Sequence, residues 1–461
     1  MRDASAADWA REQLGGAELG DARRTYRAVR MLQRAAEAPS GRISEVFENA
    51  AERQAAYDFV RGSAPPAALI AAFRDATLAK AAADSVYVVV DGTSLSLADP
   101  SATRDFGSIG KRAFPTRGLK CVTSIAVEPS GVPLGLLDLE FWSRPPRDRR
   151  SRSVRRASKG TEMTYWQTVI ERVTQATTEA GLRPWLVIDR EGDCAQQLRA
   201  AADAGAHFTI RAAQDRKLVD QPRKLHAQLR RQPILGRHFV EVPRSKKTRA
   251  RIASLDVRVA QVTLDLPEHA THRRVPFTVQ VVWAHERCKG SGGRLDWMLL
   301  TDRPILGYAD AVAVIESYCQ RWRIEDFHRA WKRGYCRVEE TQLHRRDHVV
   351  RWAAMLAAVA NRAERLKFLA RSQPDAPATI ELTEGEQGAL VALARTRLRK
   401  KTEEVPDTLT IGAAVDWIAR NGGYTGKSSG GPPGSRTIAR GLERLLPFVA
   451  GFTLGLKTAA K

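Results

Sequence analysis

Apolar residues recur at helical spacing in the first part of the chain. From Asp8 to about Leu78 this pattern predicts successive helices, with Asp21 as the N-cap of one and Ser44 as the N-cap of the next. The helix after Asp21 carries a series of arginines: Arg23, Arg24, Arg27, Arg30 and Arg34. These arginines either follow a DNA backbone or form a solvated face. We expect a small helical N-terminal domain.

Continuous β-branched stretches follow. SVYVVVDGTSLSL predicts a strand that runs to Asp91, and GLKCVTSIAVEPSGVPLGLLDLEFW predicts two strands joined by a turn at 129–131. Together they predict three consecutive antiparallel strands. A helix around Trp166, a short buried strand that ends at Asp189, a helix from Asp193 to about Ala204 and the strand HFTIRA come next. The pattern indicates an α/β core.

The rest of the chain divides into a strand-rich and a helical part. The stretch from about 218 to 302 alternates apolar and polar residues and predicts an inserted β region. Further on, VVRWAAMLAAVANRAERL predicts an amphipathic helix between segments of linker composition. We expect a helical C-terminal part.

The segment SYCQRWRIEDFHRAWKRG combines aromatic and charged residues in an unusual way. At about 100° per residue, one helix from Val312 to Lys332 places five polar side chains on a single stripe between apolar surfaces: Tyr318, Arg321, Glu325, Arg329 and Lys332. Glu325 is then expected in a cleft surrounded by cations. The alternative is that Glu325 only forms ion pairs with Arg321 and Arg329 along the helix. Each such pair stabilises a helix by a few tenths of a kcal/mol.

Charge is the strongest compositional signal. The formal net charge is +22 and the pI is near 10.2, which makes a polyanion such as nucleic acid the natural candidate partner. Composition alone is explained equally well by a basic proteome or an anionic membrane surface. The five cysteines lack metal-site or disulfide spacing. No apolar run of about twenty residues and no signal-like start is present. We expect a cytoplasmic, nucleoid-associated protein that does not enter the membrane.

Two further carboxylates change how Glu325 is interpreted. Asp91 and Asp189 each lie at or just after the end of an apolar strand, where an α/β core exposes its active edge. A single aspartate there is usually a turn or helix cap. Two strand-end aspartates and a helical glutamate in a very basic protein form the hard oxygen ligand set that Mg²⁺ requires.

These motifs carry a resemblance to a known family. YCQRWRIEDFHRAWK resembles the Tyr-Arg-Glu-Lys signature of bacterial insertion-sequence DDE transposases of the cut-and-paste type, the group that includes the transposase of the kanamycin-resistance composite transposon. VVVDGTSLSL and VIDREGD resemble the surroundings of that family's first two catalytic aspartates. ADWAREQLGGAELGDARRTYRAV and AAYDFVRG resemble its end-recognition domain.

The resemblance implies a fold and a domain organisation. It implies an RNase H-like catalytic core with an inserted β-stranded region, flanked by helical N- and C-terminal domains. The expected bounds are 1–70 for transposon-end binding, 71–340 for the catalytic domain with its insertion at about 218–302, and 341–461 for dimerisation.

It also implies a mechanism and partners. Asp91, Asp189 and Glu325 are the expected catalytic residues and ligands of two Mg²⁺ ions, for which Mn²⁺ can substitute. The steps are nicking of the transposon end, hairpin formation, hairpin opening and strand transfer into target DNA. The partners are double-stranded DNA, as terminal inverted repeats and target, and a second copy of the chain in the DNA complex.

Further residues are expected to contact DNA. The resemblance assigns phosphate contacts to Tyr318, Arg321 and Lys332, and places Arg329 where the family usually has Lys. It assigns Trp297 to stacking on a flipped base, although a buried strand Trp is the alternative. Four weaker candidates complete the set: Arg211, His328, Arg27 and Arg30. His328 is equally well explained as a helix-surface residue. The basic segment from Ser143 to Gly160 is expected to face DNA or solvent.

Two other functions compete with the transposase. A catalytically silent DNA-binding regulator of transposition is disfavoured by the intact Asp91, Asp189 and Glu325. A metal nuclease that does not transpose is disfavoured by the end-recognition motifs. Binding of ATP through NGGYTGKSSG is rejected, because the Walker pattern requires glycine where Asn421 stands.

Overall fold

The structure, a computed structural model, describes residues 6–459 except 100, 111–115, 145–161, 220, 243–249, 269–272, 288–293, 399–407 and 427–430. The chain divides into two compact units. Unit 1 consists of Met1–Ala82, Thr93–Arg149 and Glu325–Lys461, and unit 2 consists of Ala83–Gly92 and Arg150–Ile324. Most of the basic segment from Ser143 to Gly160 lies outside the described residues.

The N-terminal part of unit 1 is helical, as predicted. Its described helices are α1 (Ala6–Leu14), α2 (Ala22–Glu37), α3 (Ile43–Val46), α4 (Ala50–Arg61) and α5 (Pro66–Leu78). Asp21 caps α2, because its carboxylate accepts the backbone N–H of Arg23 at 2.7 Å. The predicted cap at Ser44 is wrong. Ser44 lies inside the short α3, and Asn49 caps α4.

Unit 1 also contains the end of one long strand and a strand hairpin. The described strands are β1 (Ser85–Ser96), of which Thr93–Ser96 belong here, β2 (Gly107–Ser108), β3 (Arg117–Val127) and β4 (Pro133–Trp142). β4 pairs antiparallel with β3, and β3 neighbours β1. A Cβ on Gly135 of β4 would come within 2.4 Å of Thr77 Oγ1 on α5. Glycine therefore lets α5 lie directly against β4.

The C-terminal part of unit 1 is also helical. It contains α10 (Trp322–Lys332) from Glu325 onward, α11 (Arg346–Ser372), α12 (Glu384–Leu393), α13 (Ile411–Asn421) and α14 (Ser435–Ala459). The prediction of an amphipathic α11 is wrong, because α11 is buried from Val349 to Leu369 on all sides. Its charged residues are paired inside the protein: Arg362 contacts Glu386 at 2.8 Å. None of the described helices is long and apolar enough to cross a bilayer.

Unit 2 is built on a mixed sheet. Its elements are the first part of β1, α6 (Glu162–Glu179), β5 (Arg183–Ile188), α7 (Ala195–Asp203), β6 (His207–Arg211), α8 (Leu225–Arg230), β7 (Gly236–Val242), β8 (Arg251–Pro267), β9 (Arg274–Glu286), β10 (Asp296–Thr301) and α9 (Tyr308–Cys319). The strand order is β1-β5-β6-β10-β9-β8-β7. β1, β5 and β6 are parallel, and β6 to β7 pair antiparallel through β10, β9 and β8.

The order of these elements along the chain confirms the predicted fold class. The RNase H-like core consists, in chain order, of strand β1, the hairpin β3–β4, helix α6, strand β5, helix α7 and strand β6. The strand-rich insertion predicted at about 218–302 is present as β7 to β10, which extend the sheet beyond β6. The short helix α8 within it was not predicted.

The helix predicted from Val312 to Lys332 is broken in the structure. α9 ends at Cys319 and α10 begins at Trp322. Between them the backbone uses tighter hydrogen bonds, such as Arg321 N–H to the carbonyl of Tyr318 at 3.1 Å. The prediction that five polar side chains share one stripe was therefore wrong. It assumed a constant rotation of about 100° per residue, which does not continue across such a break.

Candidate active site

The parallel pairing of β1 and β5 positions the two predicted aspartates. Val90 of β1 lies opposite Ile188 of β5 in the last pair of their register, so Asp91 within β1 and Asp189 just after β5 lie together where this pairing ends. The Asp91 carboxylate accepts the backbone N–H of Gly92 at 2.9 Å. The predicted strand end is confirmed at Asp189 but wrong at Asp91, because β1 continues to Ser96. The adjacency of the two residues comes from the parallel register, which a single sequence does not reveal.

Asp189 is held by a hydroxyl and two guanidinium groups. The Tyr318 hydroxyl donates to Oδ1 at 2.8 Å. Arg321 Nη1 lies 3.6 Å from Oδ2, and Arg211 Nη1 lies 3.9 Å from Oδ1. Burial raises the pKa of Asp189, but Arg321, the backbone N–H of Arg190 and the Tyr318 hydroxyl outweigh it, so the pKa is lowered. Asp189 is thus an ionised carboxylate at neutral pH.

Asp91 has the opposite electrostatic character. Burial raises the pKa of Asp91 to about 7; Arg321 opposes this shift, and the neighbouring carboxylates Glu191 and Asp189 add to it. A Cβ on Gly92 would lie 3.2 Å from Glu191 Oε2 and 2.8 Å from the ring of Trp166. Glu191 is therefore a further carboxylate beside Asp91, and the sequence did not predict it. Its place two residues after Asp189 was the available signal.

The donor set of unit 2 fits a hard divalent cation. Carboxylate oxygens are the ligands that Mg²⁺ prefers. The pKa of Asp91 is raised by burial and by the neighbouring carboxylates. A bound cation would stabilise the ionised form of Asp91 against both effects. Within the described ranges, however, no group of three or more His, Cys, Asp or Glu residues is already arranged to hold a metal ion.

Glu325 lies on α10 in unit 1, where its side chain is exposed. Other polar residues of this helix have partners inside the same unit. Lys332 Nζ donates to Thr93 Oγ1 at 3.1 Å, and Arg329 contacts Asp326 at 2.8 Å. The expected cleft around Glu325 is therefore not found among the described residues of unit 1.

His328 is half-buried in unit 1. Its Nε2 lies 2.6 Å from the Thr123 hydroxyl on β3. Burial, aided by the nearby Lys332, lowers the pKa of His328 to about 3, so the imidazole is neutral. The predicted DNA contact of His328 stays a prediction, and the structure gives the ring a partner within the protein.

Trp297 of β10 is buried, with 4% of its surface exposed. It packs edge-on against Tyr318 at 5.2 Å and against Trp322 at 6.0 Å between ring centroids. Arg211 Nη2 donates to the backbone carbonyl of Asp296 at 3.0 Å. An aromatic cluster and Arg211 therefore surround Tyr318 within unit 2.

The arginines of α2 differ in their surroundings. Arg30 contacts Glu52 of α4 at 2.9 Å, so it joins two helices of the N-terminal part. Arg27 is half-buried, whereas Arg23 is exposed, and 67% of Tyr26 is exposed beside it. The most exposed side chains of α2 are therefore those near its N-cap, such as Arg23 and Tyr26. The predicted DNA contacts Arg27 and Arg30 are less exposed.

A cationic cavity in unit 1 was not predicted. Its volume is about 530 Å³, and its lining contains no carboxylate: Tyr57, Arg61, Arg104, Gln342, Leu343, His344, Arg345 and His348. Three separate parts of the chain contribute to it, which explains why local sequence patterns did not reveal it. Burial lowers the pKa of His348, and Arg351, Arg345 and Arg61 lower it further. The arginines therefore supply the cavity's charge at neutral pH.

Comparison with known protein families assigns two regions of the chain. Residues 6–64 match a family model described as transposase DNA-binding, and residues 152–362 match one described as a transposase DDE domain. The second match contains Asp189 and Glu325, while Asp91 precedes it. A DDE domain implies the use of divalent metal. The chain is therefore similar to a transposase DNA-binding domain in its first part and to a transposase DDE domain in its middle part, and the two matches support a DNA transposase.

Proposed function

We propose that this protein is a cut-and-paste transposase of the Tyr-Arg-Glu-Lys type. It nicks transposon ends, releases them through a hairpin intermediate and joins them to target DNA. The observation that carries the proposal is the parallel register of β1 and β5, which brings Asp91 and Asp189 to one edge of an RNase H-like core. Glu325 of α10 is the third proposed catalytic carboxylate.

Asp91, Asp189 and Glu325 would hold two Mg²⁺ ions. Bound there, the ions supply activation of the attacking oxygen and stabilisation of the leaving oxygen. The chain's own residues then position the DNA. Arg321 is buried, and its guanidinium lies 3.6 Å from Asp189, so it can neutralise a phosphate that approaches the carboxylates. Lys332 offers an ammonium on α10 for the same purpose.

DNA binding is proposed to extend over unit 1. Residues 1–70 would recognise the transposon end, 71–340 would catalyse, and 341–461 would dimerise. The cationic cavity suits a DNA phosphate, since Arg61, Arg104 and Arg345 line it without an opposing carboxylate. The net charge of +22 agrees with such a polyanionic partner.

The test uses linear DNA that carries the inverted repeats flanking the gene, with Mg²⁺. We expect the native protein to give nicks, hairpins and joined strands on a labelled product gel. Glu325→Gln should retain DNA binding and lower product formation at least about 10²-fold, because it removes a metal ligand without changing shape. Glu171→Gln, an exposed residue of α6, is the matched control and should behave as native.

Two outcomes would decide against the proposal. DNA that is bound but left uncut by the native protein would favour a silent regulator of transposition. Cleavage without any joined strands would favour a metal nuclease.

A further inference from the structure

Tyr318 is one of the most deeply buried polar side chains near the candidate site. Only 3% of the residue is exposed. Its hydroxyl donates to Asp189 Oδ1 at 2.8 Å. A hydroxyl that points into the protein and is bound to a carboxylate is poorly placed to act mainly as a surface ligand for a DNA phosphate.

The ring of Tyr318 is fixed on several sides. Trp297 packs edge-on against it at 5.2 Å, and Trp297 in turn contacts Trp322. The guanidinium of Arg321 lies 5.7 Å from the Tyr318 ring centroid. Because a tyrosine side chain has two main rotatable bonds, this packing determines where its hydroxyl points.

The Asp189 carboxylate is consequently held in one orientation. Oδ1 accepts from Tyr318 and lies 3.9 Å from Arg211 Nη1, while Oδ2 lies 3.6 Å from Arg321 Nη1. Arg211 is itself anchored by the carbonyl of Asp296 at 3.0 Å.

We propose that Tyr318 is a positioning residue that orients Asp189 for metal binding through the hydrogen bond to Oδ1. This inference rests on the proposed function, because it needs Asp189 to be a metal ligand. It assigns Tyr318 a role different from the phosphate contact expected from the sequence. Groups that hydrogen-bond a ligating carboxylate typically change metal affinity by about 10- to 100-fold.

The test compares Tyr318→Phe with Tyr308→Phe. Tyr308 lies on the same helix and also loses a hydroxyl hydrogen bond, the one to the carbonyl of Arg237 at 2.6 Å, away from Asp189. Mn²⁺ binding is measured by titration calorimetry on the full-length protein without DNA, and DNA binding is measured without metal. Circular dichroism and thermal melting confirm that both variants are folded.

We expect Tyr318→Phe to weaken Mn²⁺ binding about tenfold, with DNA affinity within about twofold of native. Tyr308→Phe should match native in both measurements. In the DNA-joining assay, excess Mn²⁺ should return Tyr318→Phe towards the native rate. Unchanged Mn²⁺ affinity with weakened DNA binding would overturn the positioning role and restore the phosphate contact.

Asp189→Asn separates failure of this inference from failure of the proposed function. If Asp189→Asn loses Mn²⁺ binding while Tyr318→Phe binds as native, only the positioning role fails. If Asp189→Asn binds Mn²⁺ as tightly as native, the metal site itself is wrong, and the role of Tyr318 fails with it.

Discussion

Asp91 within β1 and Asp189 just after β5 lie where the pairing of these strands ends, yet their protonation differs. Asp189 is surrounded by Arg321, Arg211 and the Tyr318 hydroxyl, which lower its pKa. Burial, with Glu191 and Asp189 nearby, raises the pKa of Asp91 to about 7. One carboxylate is thus ready to bind a cation at neutral pH, whereas the other must first release a proton. Metal binding should therefore strengthen as the pH rises through about 7.

The pKa of Asp91 also predicts how stability depends on pH. Because the folded pKa is above the ordinary value of 3.8, the folded protein binds this proton more tightly than the unfolded chain does. The stabilisation of the folded protein by this bound proton is fully present below about pH 4 and is lost as the pH rises to about 7. Without metal, Asp91→Asn should therefore raise the free energy of unfolding at pH 8, on the order of 2 kcal/mol relative to native.

Denaturant unfolding at pH 5 and pH 8 checks this prediction. The control is Asp203→Asn, an exposed residue of α7. Mg²⁺ at pH 8 should stabilise native protein and the control, but not Asp91→Asn. An equal pH dependence in all three proteins would show that Asp91 titrates normally.

Local sequence patterns predicted most of the elements in this fold. The β-branched stretch before Asp91 and the short apolar strand before Asp189 gave β1 and β5 directly. The break between α9 and α10 could not be predicted, because Arg321 has ordinary helix propensity and its burial beside Asp189 is a tertiary effect. The prediction that α11 is amphipathic was wrong for a similar reason, because its burial is also a tertiary effect.

α11 illustrates how tertiary pairing hides charge. Its sequence contains Arg362 and Arg365, which normally indicate a solvated face. In the structure Arg362 contacts Glu386, and Arg365 contacts Glu381 at 2.7 Å. These partners lie 24 and 16 residues further along the chain, beyond the range of a helical periodicity. The helix is therefore buried in spite of its charges.

The whole molecule carries +22 charges, and their location matters more than their number. The cationic cavity concentrates Arg61, Arg104 and Arg345 in unit 1. Two sequence-distant segments and the start of α11 meet there, so it could be found only from the folded chain. The sequence predicted Asp91, Asp189 and Glu325 as catalytic carboxylates, and this cavity adds a surface suited to a phosphate.

Salt dependence of DNA binding tests that surface. Arg345→Ala should weaken binding to all DNA sequences and reduce the slope of log affinity against log salt concentration by about 1, because one phosphate contact is lost. Arg183→Ala removes the same charge from an exposed position at the start of β5. It should leave the slope unchanged. Equal slopes for both variants would show that the cavity does not contact DNA.

The most direct test of the central claim is metal-dependent DNA joining by Asp189→Cys. A thiolate at this position disfavours Mg²⁺ and accepts a softer ion such as Mn²⁺. We predict almost no hairpin or joined product in Mg²⁺ and substantial recovery in Mn²⁺, while native protein works with either ion. Native-like activity of Asp189→Cys in Mg²⁺, or joining by native protein in the presence of EDTA, would contradict a metal site at Asp189.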